Sequence, residues 1–340
     1  MQINAQQGRD RGLDVLRGIA IATMIWANFA PFLLLPEHPM WLRAISSIAA
    51  PLFVSIAGYL VQISEKHDFQ YYLKRGAAVI FFGMILDMGL AGAYPFTGIS
   101  VLYLIGIAIP FCALLSKLKT WQIGVSVGIC MALGPIMQKI FGYSVDPFYV
   151  YFGESPSILF SMEGIKTIGR QWLFEGTFPL FPWLGFAGLG ILIRRFERAQ
   201  VNLTWLGSIL FILGIAIYFI FPPQLFTKMG FSELFYPATD FFILTYSGLV
   251  ILFFQFRDHF TGKLSQPLIE LGNLSLLIYL SHLAFAYSVL HRFIEPGGIL
   301  LYLGIVFGYL LLNWKLAEWL NKEKGGREGK GLLHRMILGI

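Results

Sequence analysis

Charged residues are scarce in this sequence, since only 13% of its 340 residues are Asp, Glu, Lys or Arg, while 56% are hydrophobic. A soluble domain carries about 25% charged residues. The deficit therefore excludes an ordinary soluble fold and predicts an integral membrane protein. The apolar runs are long and do not alternate with polar residues, which argues against transmembrane strands.

Cysteine and the common catalytic motifs are also nearly absent. The two cysteines, Cys112 and Cys130, both lie in apolar runs, so we expect packing residues and not a disulfide or a metal pair. The sequence contains no P-loop, no HExxH and no GxSxG motif, and we expect no metal. The apolar run after Arg17 is longer than a signal-peptide core, so we expect no cleaved leader.

Long apolar runs fill most of the chain. A helix needs about 20 apolar residues to cross a bilayer. Ten candidate spans lie at about 13–35, 41–63, 74–91, 97–116, 121–141, 177–193, 202–222, 236–255, 267–290 and 298–319. They predict an all-α polytopic membrane protein, with about ten transmembrane helices in one bundle and a single domain over residues 1–340.

The distribution of basic residues predicts the orientation. With the N-terminus in the cytoplasm and ten spans, 19 of the 25 Lys and Arg residues lie on the cytoplasmic side, as the positive-inside rule requires. Both termini are then cytoplasmic, and residues 321–340 form a basic cytoplasmic tail that contacts anionic lipid. The net charge of +6 reflects this orientation and does not indicate nucleic-acid binding. We expect a multi-pass protein of the inner, or cytoplasmic, membrane.

Residues 142–176 form a long external loop that is too polar to span the membrane. Aromatic residues surround Asp146 and Glu154, and rings with carboxylates suit sugar recognition. An interfacial aromatic belt would have the same composition. The stretch "SILFSMEGIKTIGRQWLF" suits a helix that lies in the interface.

The first span carries a polar stripe. Asp14, Arg17 and Asn28 follow steps of three and four residues, together with the intervening apolar positions 21 and 24, and therefore share one helix face. Asp14 and Arg17 can pair across one turn. Pro31 and Pro36 are expected to disturb or end the helix, and His38 follows in a short loop beside Glu37.

Further polar groups lie inside other spans. Ser275, Tyr279 and His282 share a face of the ninth span, and His282 lies at nearly the depth of Asn28. Asp87 lies within the third span and Asp240 near the outer end of the eighth. Ionisable groups at such positions are functional candidates. Each also has a structural interpretation, such as an ion pair at a helix end or a hydrogen bond between helices.

Four stretches resemble the transmembrane acyltransferase superfamily, which includes heparan-α-glucosaminide N-acetyltransferase with its bacterial relatives and the acyltransferase-three group of polysaccharide O-acyltransferases. They are "GLDVLRGIAIATMIWAN", "HPMWLRAISSIAAPLFVSIAGYLV", "FPLFPWLGFAGLGILI" and "LGNLSLLIYLSHLAF". Each motif is short, but their order and spacing cover most of the chain. By position, His38 is similar to the family's catalytic histidine and Asn28 to the asparagine of the heparan-type branch. The chain departs from the family at Ser47, where that branch has aspartate, and at Tyr103 and Leu104, where the family has Gln-Arg.

The resemblance implies that acetyl-CoA, or another acyl-CoA, donates an acyl group across the membrane to an amine or hydroxyl of an exported glycan or sugar. The catalytic candidates are His38 as the base or acyl carrier and Asn28 as the donor to the thioester carbonyl. The residues that would orient these two are Glu37, Asp87, Tyr279 and His282. Those that would bind acyl-CoA are Arg17, Asp14, Lys74 and Arg75. Those that would bind the acceptor are Asp146, Glu154, Trp183 and Asp240.

Two other functional classes remain open from the residues alone. A secondary transporter could use Asp87, Asp240 and Arg17 along a proton or substrate path, although no internal repeat is evident. A scaffold protein would need neither Arg17 nor His38. The expected partners are acyl-CoA, the glycan or sugar acceptor and the lipid bilayer; a homodimer is compatible with the sequence, and nucleic acid is not expected.

Overall fold

The computed structural model describes residues 10–35, 38–64, 67–146, 148–260, 262 and 265–324. This part of the chain is helical and contains isolated β-bridges but no extended strand. The fourteen α-helices are α1 Arg11–Leu33, α2 Met40–Ser46, α3 Ala49–Ile63, α4 Phe69–Leu86, α5 Val101–Leu115, α6 Thr120–Phe141, α7 Met162–Arg170, α8 Leu180–Arg198, α9 Thr204–Ile220, α10 Asp240–Phe256, α11 Gln266–Asn273, α12 Ser275–Phe285, α13 His291–Phe293 and α14 Ile299–Lys324.

The predicted all-helical polytopic fold is confirmed. Seven spans among the described residues are long and apolar enough to cross a membrane: Arg11–Leu33, Met40–Ile63, Thr120–Phe141, Met162–Arg198, Asp240–Phe260, Ser275–Phe293 and Ile299–Leu320. The predicted spans at 97–116 and 202–222 are the shorter apolar helices α5 and α9. The span predicted at 74–91 is α4, continued by a π-helical turn at Asp87–Ala91.

Several predicted spans have interruptions that hydropathy does not reveal. The second span is divided into α2 and α3 at Ser47, and the ninth into α11 and α12 at Leu274. Pro31, by contrast, lies inside α1 and does not end it. A proline removes one backbone hydrogen bond of a helix. In the last turn this loss costs less free energy than in mid-helix, because few helical residues follow it. Pro36, like most of the predicted tail 321–340, lies outside the described residues.

Two apolar cores meet at α1. Leu13, Leu16 and Ala20 near its start belong to a core shared with α3, α5, α6, α8 and α10. Ile25 and Phe29 near its end belong to a second core shared with α11, α12 and α14. Because apolar side chains surround α1, its polar residues are held away from lipid. Cys112 and Cys130 are free thiols buried in the first core, as expected for packing residues.

One end of the bundle gathers the basic helix termini. Arg257, after α10, pairs with Glu197 in α8 and lies 3.5 Å from Asp10, which caps α1. Tyr59 of α3 also donates a hydrogen bond to Glu197. We call this the basic end. The start of α1 and the ends of α3, α8 and α10 therefore lie together, as the predicted threading requires.

The tightest helix contact joins α3 and α8. A Cβ on Gly58 would lie 1.8 Å from the carbonyl oxygen of Ala187, and one on Gly190 would lie 1.9 Å from that of Ser55. Small residues let the two backbones approach this closely. Ser55 adds a 3.0 Å hydrogen bond from its hydroxyl to the Phe186 carbonyl.

We expect Gly58→Ala to lower the free energy of unfolding by about 1–3 kcal/mol, because the new methyl overlaps a backbone oxygen that cannot move alone. The matched control is Gly124→Ala in α6, where a Cβ meets nothing within 4 Å. Denaturation of both variants in mixed detergent measures the difference. Equal stability of the two variants would contradict the close α3–α8 contact.

Candidate functional site

A cavity of about 380 Å³ runs through the bundle, from the basic end to the opposite end. Its size is in the range of small-ligand sites. Polar or charged side chains at the basic end are Arg17, Ser64, Tyr72 and Arg75. Those farther along are Asn28, Asp87, Tyr149, Tyr151, Lys228, Glu233 and Tyr279. Apolar residues of α3 and α5 form much of the remaining wall.

At the basic end, Arg17 and Asp14 form the predicted ion pair. Their Nη1 and Oδ1 atoms are 2.9 Å apart, and the Asp14 carboxylate is almost completely buried. The pair keeps the Arg17 guanidinium at the cavity wall while 16% of the side chain stays exposed. Arg75 also lines this end and donates a 3.1 Å hydrogen bond to Tyr71. Lys74 is exposed and is not part of the cavity wall.

Asn28 and His282 meet between α1 and α12. The Asn28 Nδ2 atom lies 3.0 Å from His282 Nε2, and His282 Nδ1 lies 3.1 Å from the Ile278 carbonyl oxygen. A carbonyl only accepts, so Nδ1 carries the proton of the neutral ring and Nε2 accepts from the amide. One N–H of Asn28 is therefore used. Within the described ranges the second N–H and Oδ1 have no hydrogen-bond partner and can contact a molecule in the cavity.

Asp87 and two tyrosines form a separate group toward the opposite end. Asp87 begins the π-helical turn after α4 and accepts a 2.5 Å hydrogen bond from the Tyr103 hydroxyl. Tyr279 lines the cavity, and its ring centroid is 5.3 Å from that of His282. Tyr103, where the resemblance implies a different residue, holds the carboxylate of Asp87.

His38 lies beside the cavity and is not part of its wall. The side chain is 8% exposed, and its Nδ1 atom is 2.5 Å from the Ser232 hydroxyl oxygen. Burial, and then the positive charge of Arg43, lower the pKa of His38 below its usual value. Its hydrogen-bond partner is thus neither Asp87 nor His282, and Glu37 lies outside the described residues.

Sequence reasoning missed the segment that holds His38. Residues 226–236 form a hairpin, in which the Phe226 N–H donates to the Tyr236 carbonyl over 2.8 Å. The Arg43 Nε–H donates to the Ser232 carbonyl over 2.5 Å, and the Leu234 N–H donates to the Ser47 hydroxyl over 2.7 Å. Ser47, where the resemblance implies an aspartate, therefore docks this hairpin.

The 226–236 hairpin places two charged groups at the cavity. Lys228 is 2% exposed and donates from Nζ to the carbonyls of Ser144 and Glu175, over 3.3 and 2.5 Å. Burial lowers the pKa of Lys228 to about 8. Glu233 is 5% exposed, and burial raises its pKa to about 7. The only sequence signal was a Lys, a Ser and a Glu in "KMGFSELFYP", between two apolar spans.

The four predicted acceptor residues are dispersed. Asp146 lines a second cavity of about 390 Å³ in the 142–176 segment, with Arg170, Gln171 and Glu175. Glu154 is exposed and accepts a 3.0 Å hydrogen bond from the Tyr151 N–H. Asp240 is exposed, 3.5 Å from Lys139.

Trp183, the fourth of the predicted acceptor residues, lies in the first apolar core. Its indole is 0% exposed and packs against Phe178 and Phe235. An indole that is buried among aromatic rings contributes to packing and leaves no face for a ligand. The predicted helix in the 142–176 segment does form, as α7, with Met162 and Ile165 exposed. No group of three or more His, Cys, Asp or Glu residues in the described ranges could hold a metal ion.

We expect a double-mutant cycle of Asn28→Ala and His282→Ala to give a coupling free energy of about 0.5–2 kcal/mol, because each substitution removes the same interhelical hydrogen bond. Unfolding measured in mixed detergent supplies the four free energies. The control cycle pairs Asn28→Ala with Ser281→Ala, whose hydroxyl contacts Tyr309. Coupling no larger than in the control cycle would contradict the assigned bond.

Comparison with known proteins gives one family. Residues 9–223 match the family described as "Heparan-alpha-glucosaminide N-acetyltransferase, catalytic", and no individual curated protein matches the chain. The match covers more than half of the sequence. It includes Arg17, Asn28 and His38 and ends before the 226–236 hairpin. The chain is a multi-pass membrane protein, and it belongs to the heparan-alpha-glucosaminide N-acetyltransferase catalytic family.

Proposed function

We propose that this protein transfers an acyl group, acetyl in the simplest case, from acyl-CoA at the basic end to an amine or hydroxyl of a sugar or glycan at the opposite end. The observation that carries the proposal is the cavity. It is lined by Arg17 and Arg75 at one end and by Asp87, Lys228 and Glu233 toward the other, with Asn28 between them. Family membership supplies the reaction class.

Each end of the cavity suits one substrate. The phosphates of acyl-CoA carry negative charge, which the two guanidinium groups attract and bind through directed hydrogen bonds. We place this basic end in the cytoplasm because acyl-CoA is cytoplasmic and the positive-inside rule favours the same orientation. The acceptor then enters from the external side, where polar residues of the 142–176 segment and the 226–236 hairpin gather.

Asn28 and His38 serve the chemical step. The second N–H of Asn28 can donate to the thioester carbonyl as negative charge develops on its oxygen, while the bond to His282 holds the amide in place. His38 stays neutral near pH 7 because its pKa is lowered. In the tautomer whose Nδ1–H donates to the Ser232 hydroxyl, the Nε2 atom is the basic or nucleophilic nitrogen. It acts either as a general base in a ternary complex or as a transient acyl carrier.

We expect His38→Ala to reduce thiol release from acetyl-CoA by about 100-fold or more, because a proton-accepting or acyl-carrying group is lost. The assay uses purified protein in detergent with a panel of amino sugars and sugars. His291→Ala is the matched control, since that exposed residue lies away from the cavity. Wild-type protein that neither binds nor cleaves acyl-CoA would overturn the function and favour a transporter.

We expect Arg75→Gln to weaken acetyl-CoA binding by about tenfold, because one charge-assisted contact with a phosphate is worth roughly 1.5–3 kcal/mol at most and solvent reduces it here. Arg75 is preferred to Arg17 because its loss leaves no buried Asp14 charge without a partner. The control is Lys117→Gln, an exposed cation that is not part of the cavity wall. Calorimetric titration gives the acetyl-CoA dissociation constants of both variants. Identical values would contradict the placement of the acyl-CoA phosphates at the basic end.

A further inference from the structure

The Glu233 carboxylate is an incompletely hydrogen-bonded acid on the cavity wall. It is 5% exposed and lines the cavity, and its Oε2 atom is buried without a hydrogen-bond partner among the described residues. Removing a carboxylate from water costs free energy unless donors replace the lost water. A ligand group that presents an N–H or O–H at this point would supply the missing donor.

The neighbouring residue holds the proposed reactive histidine. Ser232 contacts His38 through its hydroxyl, and its carbonyl accepts from Arg43. Of these two consecutive hairpin residues, Ser232 contacts His38 and Glu233 lines the cavity. Arg43 interacts electrostatically with Glu233 and favours its ionised form, against the opposing effect of burial.

We infer that Glu233 is a catalytic residue that takes the proton of the acceptor's nucleophile during acyl transfer. The inference rests on the proposed function. The nucleophilic nitrogen or oxygen bonds to the acyl carbon while the carbon–sulfur bond breaks, and the electron pair leaves with the sulfur. The proton passes from the nucleophile to Glu233 Oε2, and then to the thiolate, which leaves as the free thiol. This step places the general base on Glu233. His38, which contacts Ser232, then positions the hairpin that carries Glu233, and the expected loss of activity in His38→Ala follows from the loss of that positioning.

The residue lies beyond the part of the chain that matches the family, which ends at residue 223. Its role is therefore argued from the cavity geometry and not from the family. The charged and titratable groups that interact with Glu233 are Arg43, Tyr236 and Tyr302. Both tyrosines stay neutral near pH 7, since burial raises the pKa of Tyr236, and an ordinary tyrosine ionises only near pH 10.

The decisive experiment compares full-length wild type, Glu233→Gln and Glu233→Asp in detergent, with acetyl-CoA and the acceptor panel. We expect Glu233→Gln to lower kcat by about 100-fold or more, because the proton acceptor is lost. The dissociation constant of acetyl-CoA stays within about twofold, because the proposed binding contacts come from Arg17, Arg75 and Asn28 and not from Glu233. Glu233→Asp retains a carboxylate and recovers part of kcat. Glu295→Gln, an exposed acid outside the cavity, keeps wild-type activity.

The pH profile separates a chemical role from a structural one. The wild-type rate rises as pH increases through about 7, because Glu233 must lose its proton before it can accept another. In Glu233→Gln this rise disappears, and any remaining rise lies at lower pH, where His38 titrates. If Glu233 were only structural, its substitution would change the rate without shifting the pH at which the rate rises.

The outcomes are distinct. Wild-type turnover together with a Glu233→Gln rate within about threefold, or an unchanged profile, overturns the inference and leaves the proposed function standing. If wild type shows neither binding nor turnover, the proposed function fails, and the inference fails with it. If Glu233→Gln does not bind acetyl-CoA, the test uses Glu233→Asp instead. Acetyl-CoA binding by Glu233→Asp, with a rate that rises near pH 7, supports the catalytic role. A Glu233→Asp variant without that rise overturns the role.

Discussion

Every polar group in an apolar bundle needs a hydrogen-bond partner when water is removed. The cavity depends on this constraint. Asn28 and His282 satisfy it together. Their 3.0 Å contact joins α1 to α12, and the Ile278 carbonyl fixes which ring nitrogen accepts. Because this contact holds one N–H of Asn28, the amide stands at the cavity wall in a fixed orientation.

The same constraint explains the 226–236 hairpin. The connection between α9 and α10, residues 221–239, could have stayed in solvent. Instead, Arg43 and Ser47 each bond to its backbone, and Lys228 bonds to carbonyls of the 142–176 segment. These contacts place the hairpin at the end of the cavity opposite the basic end. Ser47 thus docks a segment that lies beyond the residues matched to the family.

Sequence periodicity could predict the parts of the site that lie on regular helices. Helical geometry places Asp14, Arg17 and Asn28 on one face and gives Asn28 and His282 similar depths. In the structure Asp14 pairs with Arg17, and Asn28 contacts His282. It could not predict the partner of His38. Ser232 is 194 residues away, in an irregular segment whose position depends on contacts with several other elements. Composition also does not reveal whether an aromatic ring faces a ligand or its neighbours, and in the structure the ring of Trp183 packs against Phe178 and Phe235.

The close contact of α3 and α8 also limits how the protein can move. One turn away from Gly58, α3 carries Val54 and Gln62, and sliding either into the position of Gly58 would drive a Cβ into the Ala187 oxygen. A slide of α3 past α8 by one turn therefore meets this overlap, so the two helices are expected to keep their register. Because α3 lines much of the cavity, this part of the wall keeps its position relative to α8.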